Sequence, residues 1–232
     1  MILKLFKTQK MIKKVLFTVL AITVAHATYG QTLNVNLPPD YLSNNTLGGK
    51  NNIPADVQGS PYIVEDFLVG TVFIKEESYN AEMRYNAYLD EVQAKTQGQV
   101  TSLLKRDYVS ARIGNQLYTI VEYADNGATR QGYFVELNPG KTRLLLQQKK
   151  KFVQAVKAES TYKSDTPAKF VEQKEYFLKV GDEPAVRVRL KKKDILAQLG
   201  NKKEMDKFIS ENGLKLKNEG EIIQLLKYHG SL

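Results

Sequence analysis

The sequence predicts a mainly β protein of the α+β kind. The expected architecture is an antiparallel β-meander, as a curved sheet or partly closed barrel, with a C-terminal cap of three short helices. Three observations carry this expectation. Residues 81–95, AEMRYNAYLDEVQAK, alternate with period two. Short β-branched and aromatic runs flank Asp125-Asn126-Gly127 and Gly181-Asp182-Glu183 at hairpin spacing. After Leu190 the apolar period becomes helical.

The first thirty residues read as an address. Lys4, Lys7, Lys10, Lys13 and Lys14 precede the apolar run Val15–Ala25, and the small residues of AHATYGQ follow. This is the pattern of a signal peptide over 1–30, cut after Gly30 to leave Gln31, or alternatively after Ala27. Met11 is an alternative start, since the segment from there is complete by itself. The apolar run is about half the ~20 residues a bilayer-spanning helix needs, so no transmembrane segment is expected after cleavage. The location expected is outside the cytoplasm, in the periplasm or at the cell surface. Cleavage removes five lysines, so the net charge of +9 falls to +4 over 202 residues. A nucleic-acid partner is therefore not expected.

Residues 31–60 are dominated by Asn, Gly, Pro and Ser and keep no period, which predicts a flexible N-terminal arm. The antiparallel β domain is expected over 61–190. LVGTVFIK (68–75) is β-branched and aromatic. In 79–90 the alternation puts Tyr79, Ala81, Met83, Tyr85, Ala87 and Leu89 on one face, assigned to the core. Asn80, Glu82, Arg84, Asn86, Tyr88 and Asp90 take the other. Strands follow at 99–105, 117–124, 129–137, 143–156, 169–180 and 184–190. Their short spacing makes them antiparallel neighbours. The helices fall in 191–232, packed on the same domain. Ile195, Leu196 and Leu199 form the first stripe. Asn201 and Glu204 have capping spacing before Met205, Phe208 and Ile209. Asn218 and Glu221 repeat it before Ile222, Leu225 and Leu226. Helices this short need docking to be stable.

Composition and motifs exclude much chemistry. Without cysteine there is no disulfide framework, thiolate metal site or catalytic thiol. His26 leaves with the address, so a histidine triad could use only His229, and a histidine metal cluster is excluded. No phosphate loop, dinucleotide fingerprint, nucleophile elbow or H-E-x-x-H occurs, and no cofactor is expected. The pairs Glu65-Asp66, Glu76-Glu77 and Asp90-Glu91 read as surface charge, because neighbours on a strand point to opposite faces. Two groups remain as candidate interaction residues. Lys149, Lys150 and Lys151 lie in a stretch without acids; they suit an anionic polysaccharide or lipid, or simply a charged sheet edge. Arg84, Asn86, Tyr88 and Asp90 form a polar row able to grip a ligand or a partner's backbone, or to pair with neighbouring strands.

Gly59-Ser60-Pro61-Tyr62, Asp66-Phe67, Gly70-Thr71-Val72, Arg84-Tyr85-Asn86, Tyr88 and Asp90-Glu91 form a recognisable series. With the lysine-rich tail KKKDILAQLGNKKEMDKFISENGLKLK it resembles a widespread group of uncharacterised small exported proteins of Bacteroidota. The resemblance covers most of residues 59–232, and RYNAYLDE is its most specific part. It implies export and a β-rich fold, and no activity, cofactor or catalytic residue. The function expected is that of a non-enzymatic envelope protein acting by binding or assembly, with an envelope protein, anionic polysaccharide or lipid as partner. A lipocalin-like carrier with a cavity inside the sheet is the alternative.

Overall fold

In the computed structural model, which describes residues 37–43, 57–96, 98–158 and 164–232, the period-two segments form one open, antiparallel, eleven-stranded sheet. The first five strands are β1 (Leu42–Ser43), β2 (Leu68–Ile74), β3 (Glu77–Asn86), β4 (Glu91–Thr96) and β5 (Gln99–Leu103). Then come β6 (Val109–Ile113), β7 (Gln116–Asp125), β8 (Ala128–Glu136), β9 (Thr142–Val153), β10 (Lys169–Val180) and β11 (Val186–Val188). The spatial order is β1-β5-β4-β3-β2-β6-β7-β8-β9-β10-β11. The single meander expected is thus two, β2–β5 and β6–β11, joined back to back where β6 pairs with β2. Gly70 sits at that seam, and a Cβ there would lie 2.1 Å from the Arg112 carbonyl oxygen, so no larger residue fits.

The sheet curls, and one face of β2–β9 forms a continuous core. Val72, Met83, Tyr85, Val92, Ala111, Tyr118, Tyr133 and Leu146 are among its buried members. Among the contacts that span the curl, Lys150 N–H donates to the Ala87 carbonyl at 3.0 Å, and Tyr85 OH donates to the Gln148 carbonyl at 3.4 Å. Residues 132–135 of β8, 144–148 of β9 and 177–178 of β10 are buried in succession, on both faces of the sheet, and the apolar stretches of these strands lie there. Leu146 faces the curled core, while Phe134, Leu145 and Phe177 form a second cluster with Val121, Tyr123 and Ala185. Ala185 closes that cluster by bonding the otherwise free edge of β7: its N–H donates to Glu122 O at 2.8 Å, and its carbonyl accepts from Ala124 N–H at 2.9 Å.

Three helices cover β9–β11: α1 (Lys192–Leu196), α2 (Lys202–Glu211) and α3 (Glu219–His229). Ile195, Leu199, Met205, Ile209, Ile222, Leu225 and Leu226 pack with Leu144, Leu178 and Val188. Asn218 caps α3 as its spacing predicts, its Oδ1 accepting from Glu221 N–H at 2.9 Å. Asn201 does not cap α2: it adopts a left-handed conformation with no side-chain hydrogen bond to the helix. Among the described residues no helix is long and apolar enough to cross a membrane.

Further sequence expectations change. AEMRYNAYLDEVQAK is not one strand but two, β3 and β4, with a turn over 87–90. Asn86 makes the turn, its Oδ1 accepting from Tyr88 and Leu89 N–H at 3.1 Å, and Asp90 ends it with φ +57°. Part of the arm over 31–60 is built in. Leu37 is buried in the main core, Leu42 and Ser43 pair with β5, and Gln58 bonds the backbone of Ala168 and Phe170. Residues 44–56 and the address over 1–30 lie outside the described residues. The sequence reading also missed β6, a five-residue strand.

Candidate functional site

β8 and β9 pair only at Val135–Leu146 and Glu136–Leu145. Beyond that point β9 leaves β8 and runs on with β10, and the 87–90 turn comes up against its other side. The divergence leaves a cleft of about 460 Å³ that Tyr85, Ala87, Tyr88, Asp90, Tyr123 and Gln147 line from the sheet. Lys149, Lys150, Lys151, Phe152, Gln154 and Gln173 complete it. The two candidate groups of the sequence therefore meet in part. Tyr88 and Asp90 face the lysine run across one cleft. Arg84 and Asn86 do not line it, and the polar row over 84–90 does not exist as a row, because the turn breaks the strand after Asn86.

Arg84 is committed to the fold. Its guanidinium stacks on the rings of Tyr62 and Phe67, 3.6 and 4.3 Å from their centroids. It donates to Tyr62 OH at 2.7 Å, Glu65 O at 3.0 Å and Gln93 Oε1 at 3.1 Å. With Asn86 buried in the turn, and the Pro61 carbonyl accepting from Ala87 and Tyr88 N–H, much of the series from Gly59 to Glu91 becomes one structural knot. The knot holds the turn, and hence Tyr88, at the cleft.

Asp90 is a strut under the cleft. Lys105 Nζ lies 2.5 Å from its Oδ2, while Tyr85 OH and Tyr133 N–H donate to Oδ1 at 2.7 and 3.1 Å. Gly132 allows this approach, since a Cβ there would lie 3.3 Å from Asp90 Oδ2 and 3.2 Å from Gln147 Nε2. Burial raises the Asp90 pKa above the ordinary carboxylate value, and Lys105, the Tyr85 hydroxyl and the Tyr133 N–H oppose that rise. Burial likewise pushes the Tyr85 phenol well up, with Asp90 adding to it, so the hydroxyl stays a donor.

The lysines differ from one another. Lys149 pairs with Glu175 at 2.8 Å, and Arg187 shares that carboxylate at 3.1 Å. Lys150 pairs with Glu172 directly across the β9–β10 ladder at 3.0 Å, and that hydrogen bond holds the Glu172 pKa down. Lys151 is exposed and has no ion-pair partner among the described residues. β10 covers one edge of β9 along its whole length, while on the other edge the ladder with β8 ends at Leu146 and Lys150 N–H bonds the Ala87 carbonyl. The fold gathers aromatic rings beside the lysines. Phe152 and Phe170 have ring centroids 5.5 Å apart, and Tyr88 meets Phe170 edge to face at 5.4 Å. Tyr88 remains 39% exposed.

Gln147 is the cleft residue that the sequence did not mark. It is 3% exposed, and its Oε1 is buried without a hydrogen-bond donor among the described residues. Such an unpaired buried acceptor costs about 1–3 kcal/mol. The signal was present in QQKKKF, where two amides and an aromatic bracket the cations. Gln148, its neighbour, is satisfied by Tyr118 OH at 2.9 Å. Comparison with protein-family models, with curated proteins and with solved structures gives no match.

Proposed function

We propose that this chain is an exported, non-enzymatic binding protein of the cell envelope, acting through the cleft between the 87–90 turn and the second half of β9. Export rests on the lysine-rich, apolar and small-residue pattern of 1–30 and on the resemblance carried by RYNAYLDE. The observation that carries the binding role is the convergence of Tyr88, Phe152, Gln147 and three lysines in one cleft of about 460 Å³. The Asp90 carboxylate there is engaged by Lys105, Tyr85 and Tyr133, so it serves as a strut rather than as a free base.

An internal-cavity carrier fits less well. Tyr85, Tyr118, Tyr133, Met83 and Val92 fill the inside of the curl. A void of about 40 Å³ beside Tyr85 and Tyr118 has room for about one water, not for an apolar ligand.

Co-sedimentation with envelopes of the cells that make the protein tests the proposal. Tyr88→Ala and Lys151→Glu should each lower the retained fraction at least fivefold, while Lys203→Glu, an exposed change on α2, should match the parent. Equal retention of all four folded proteins would sink it.

A further inference from the structure

We infer that the cleft takes an acidic polysaccharide, a chain of hydroxyl-rich sugars carrying carboxylates such as a polyuronate. This rests on the cleft being the binding site, and four features of it select the ligand.

The first is Gln147 Oε1, a buried acceptor without a donor. A ligand that completes it must bring an O–H or N–H. Phosphate diesters and carboxylates alone bring acceptors, whereas a sugar hydroxyl both donates and accepts. The second is the set of three amides, Gln147, Gln154 and Gln173, that line the same cleft. Each carries an acceptor and two donors on one planar group, which matches the adjacent hydroxyls of a pyranose. Gln154 and Gln173 are exposed and make no side-chain hydrogen bond among the described residues, so they are available.

The third is the aromatic rim. Tyr88 packs edge to face with Phe170 while its residue stays 39% exposed, and Phe152 also packs on Phe170. A half-open ring with a polar tip suits the C–H face of a sugar flanked by hydroxyls. The fourth is the charge count. Lys149 and Lys150 are already paired with Glu175 and Glu172, which leaves Lys151 as the cation of the run without an ion-pair partner among the described residues. One available positive charge among amides and rings fits a chain of modest charge density, about one carboxylate per sugar. A densely charged polyphosphate or nucleic acid would call for several.

The test is isothermal titration of the protein with polygalacturonate and alginate, using dextran, polyphosphate and phosphatidylglycerol vesicles as comparisons. The parent should bind a polyuronate at least tenfold more tightly than dextran or polyphosphate. Lys151→Gln should weaken that binding about tenfold at low salt and flatten its salt dependence. Gln147→Met keeps the volume and removes the amide. It should weaken binding at least fivefold with the salt dependence unchanged, and its melting temperature should equal or exceed the parent's, because the orphan acceptor is gone. Equal affinity for polyphosphate or for lipid vesicles would overturn the inference, as would unchanged polyuronate binding in a folded Gln147→Met protein. If no polyuronate binds while the cleft variants still lose envelope retention, the sugar assignment falls and the binding role stands. If retention ignores the cleft variants, both fall.

Discussion

Asp90 shows how one residue can be read correctly as polar and wrongly as available. Its carboxylate is turned inward by a left-handed backbone and engaged by Lys105, Tyr85 and the β8 backbone. Asp90→Ala removes the acceptor of the Tyr133 N–H and leaves the Tyr85 hydroxyl only its 3.4 Å contact to Gln148 O. The loss should be about 1–3 kcal/mol for each group left unpaired. The pH dependence has a definite sign. Burial raises the folded-state pKa of Asp90 above its unfolded value, so the folded state holds its proton to higher pH. The contribution to stability is therefore full below the unfolded value of about 3.9 and is lost as pH rises through the folded value. Melting temperatures of the parent and Asp90→Asn check this across that window. The parent should lose ground to the variant as pH rises, and a parent that instead gains on the variant over that window would refute the assignment.

At the scale of elements, the helical stripes follow their spacing closely but bury unequally. Met205 and Ile209 of α2 are buried, while Phe208 is only partly so and stacks on Tyr228 with centroids 4.1 Å apart. Phe208→Ala should therefore cost about 1–2 kcal/mol, well below the ~3–5 of a fully buried aromatic. Leu225 is completely buried against α2 and β9–β11, and Leu225→Ala should cost about 2–5 kcal/mol. Urea denaturation orders the two, and a larger loss at Phe208 would mean that the cap packs differently. The β3–β4 hairpin was hidden for a related reason. Its turn contains neither glycine nor proline, and Asn86 and Asp90 do that work inside an alternation that continues on both sides. The local pattern could not separate a turn from two more strand residues.

For the whole molecule, the sheet edges are short. β1 has two residues and β11 three, and β11 pairs with only Tyr176, Phe177 and Leu178 of β10, so charged residues such as Lys169, Glu172 and Lys174 flank the remaining β10 edge. Export is the other question at this scale. Cleavage at Gln31 would fall six residues before Leu37, which is buried in the main core, so processing there keeps that core residue. The N-terminal peptide of the protein recovered from fractionated cells should begin at Gln31, and the protein should be absent from the cytosol. Full-length chain in the cytosol, with Met1 or Met11 intact, would refute export.

The sequence by itself determined what neighbouring residues can decide. The Asn126-Gly127 hairpin forms with both residues at positive φ, as that pair allows, and the helical stripes and the Asn218 cap lie where their spacing puts them. Period two named the inward face of β3, where Ala81, Met83 and Tyr85 lie in the core. Only the tertiary structure decided which strands lie side by side, because β6 joins β2 through a close approach at Gly70 that no local signal announces. It also decided the cleft. Tyr85 and Gln148 stand 63 residues apart in the chain and touch because the sheet curls. That same curl sets Tyr88 beside Lys149–Lys151 and leaves Gln147 Oε1 without a donor. Turn chemistry and periodicity act over a few residues, whereas curvature sums the twist of many strands. A site made by curvature is therefore written nowhere in any one segment.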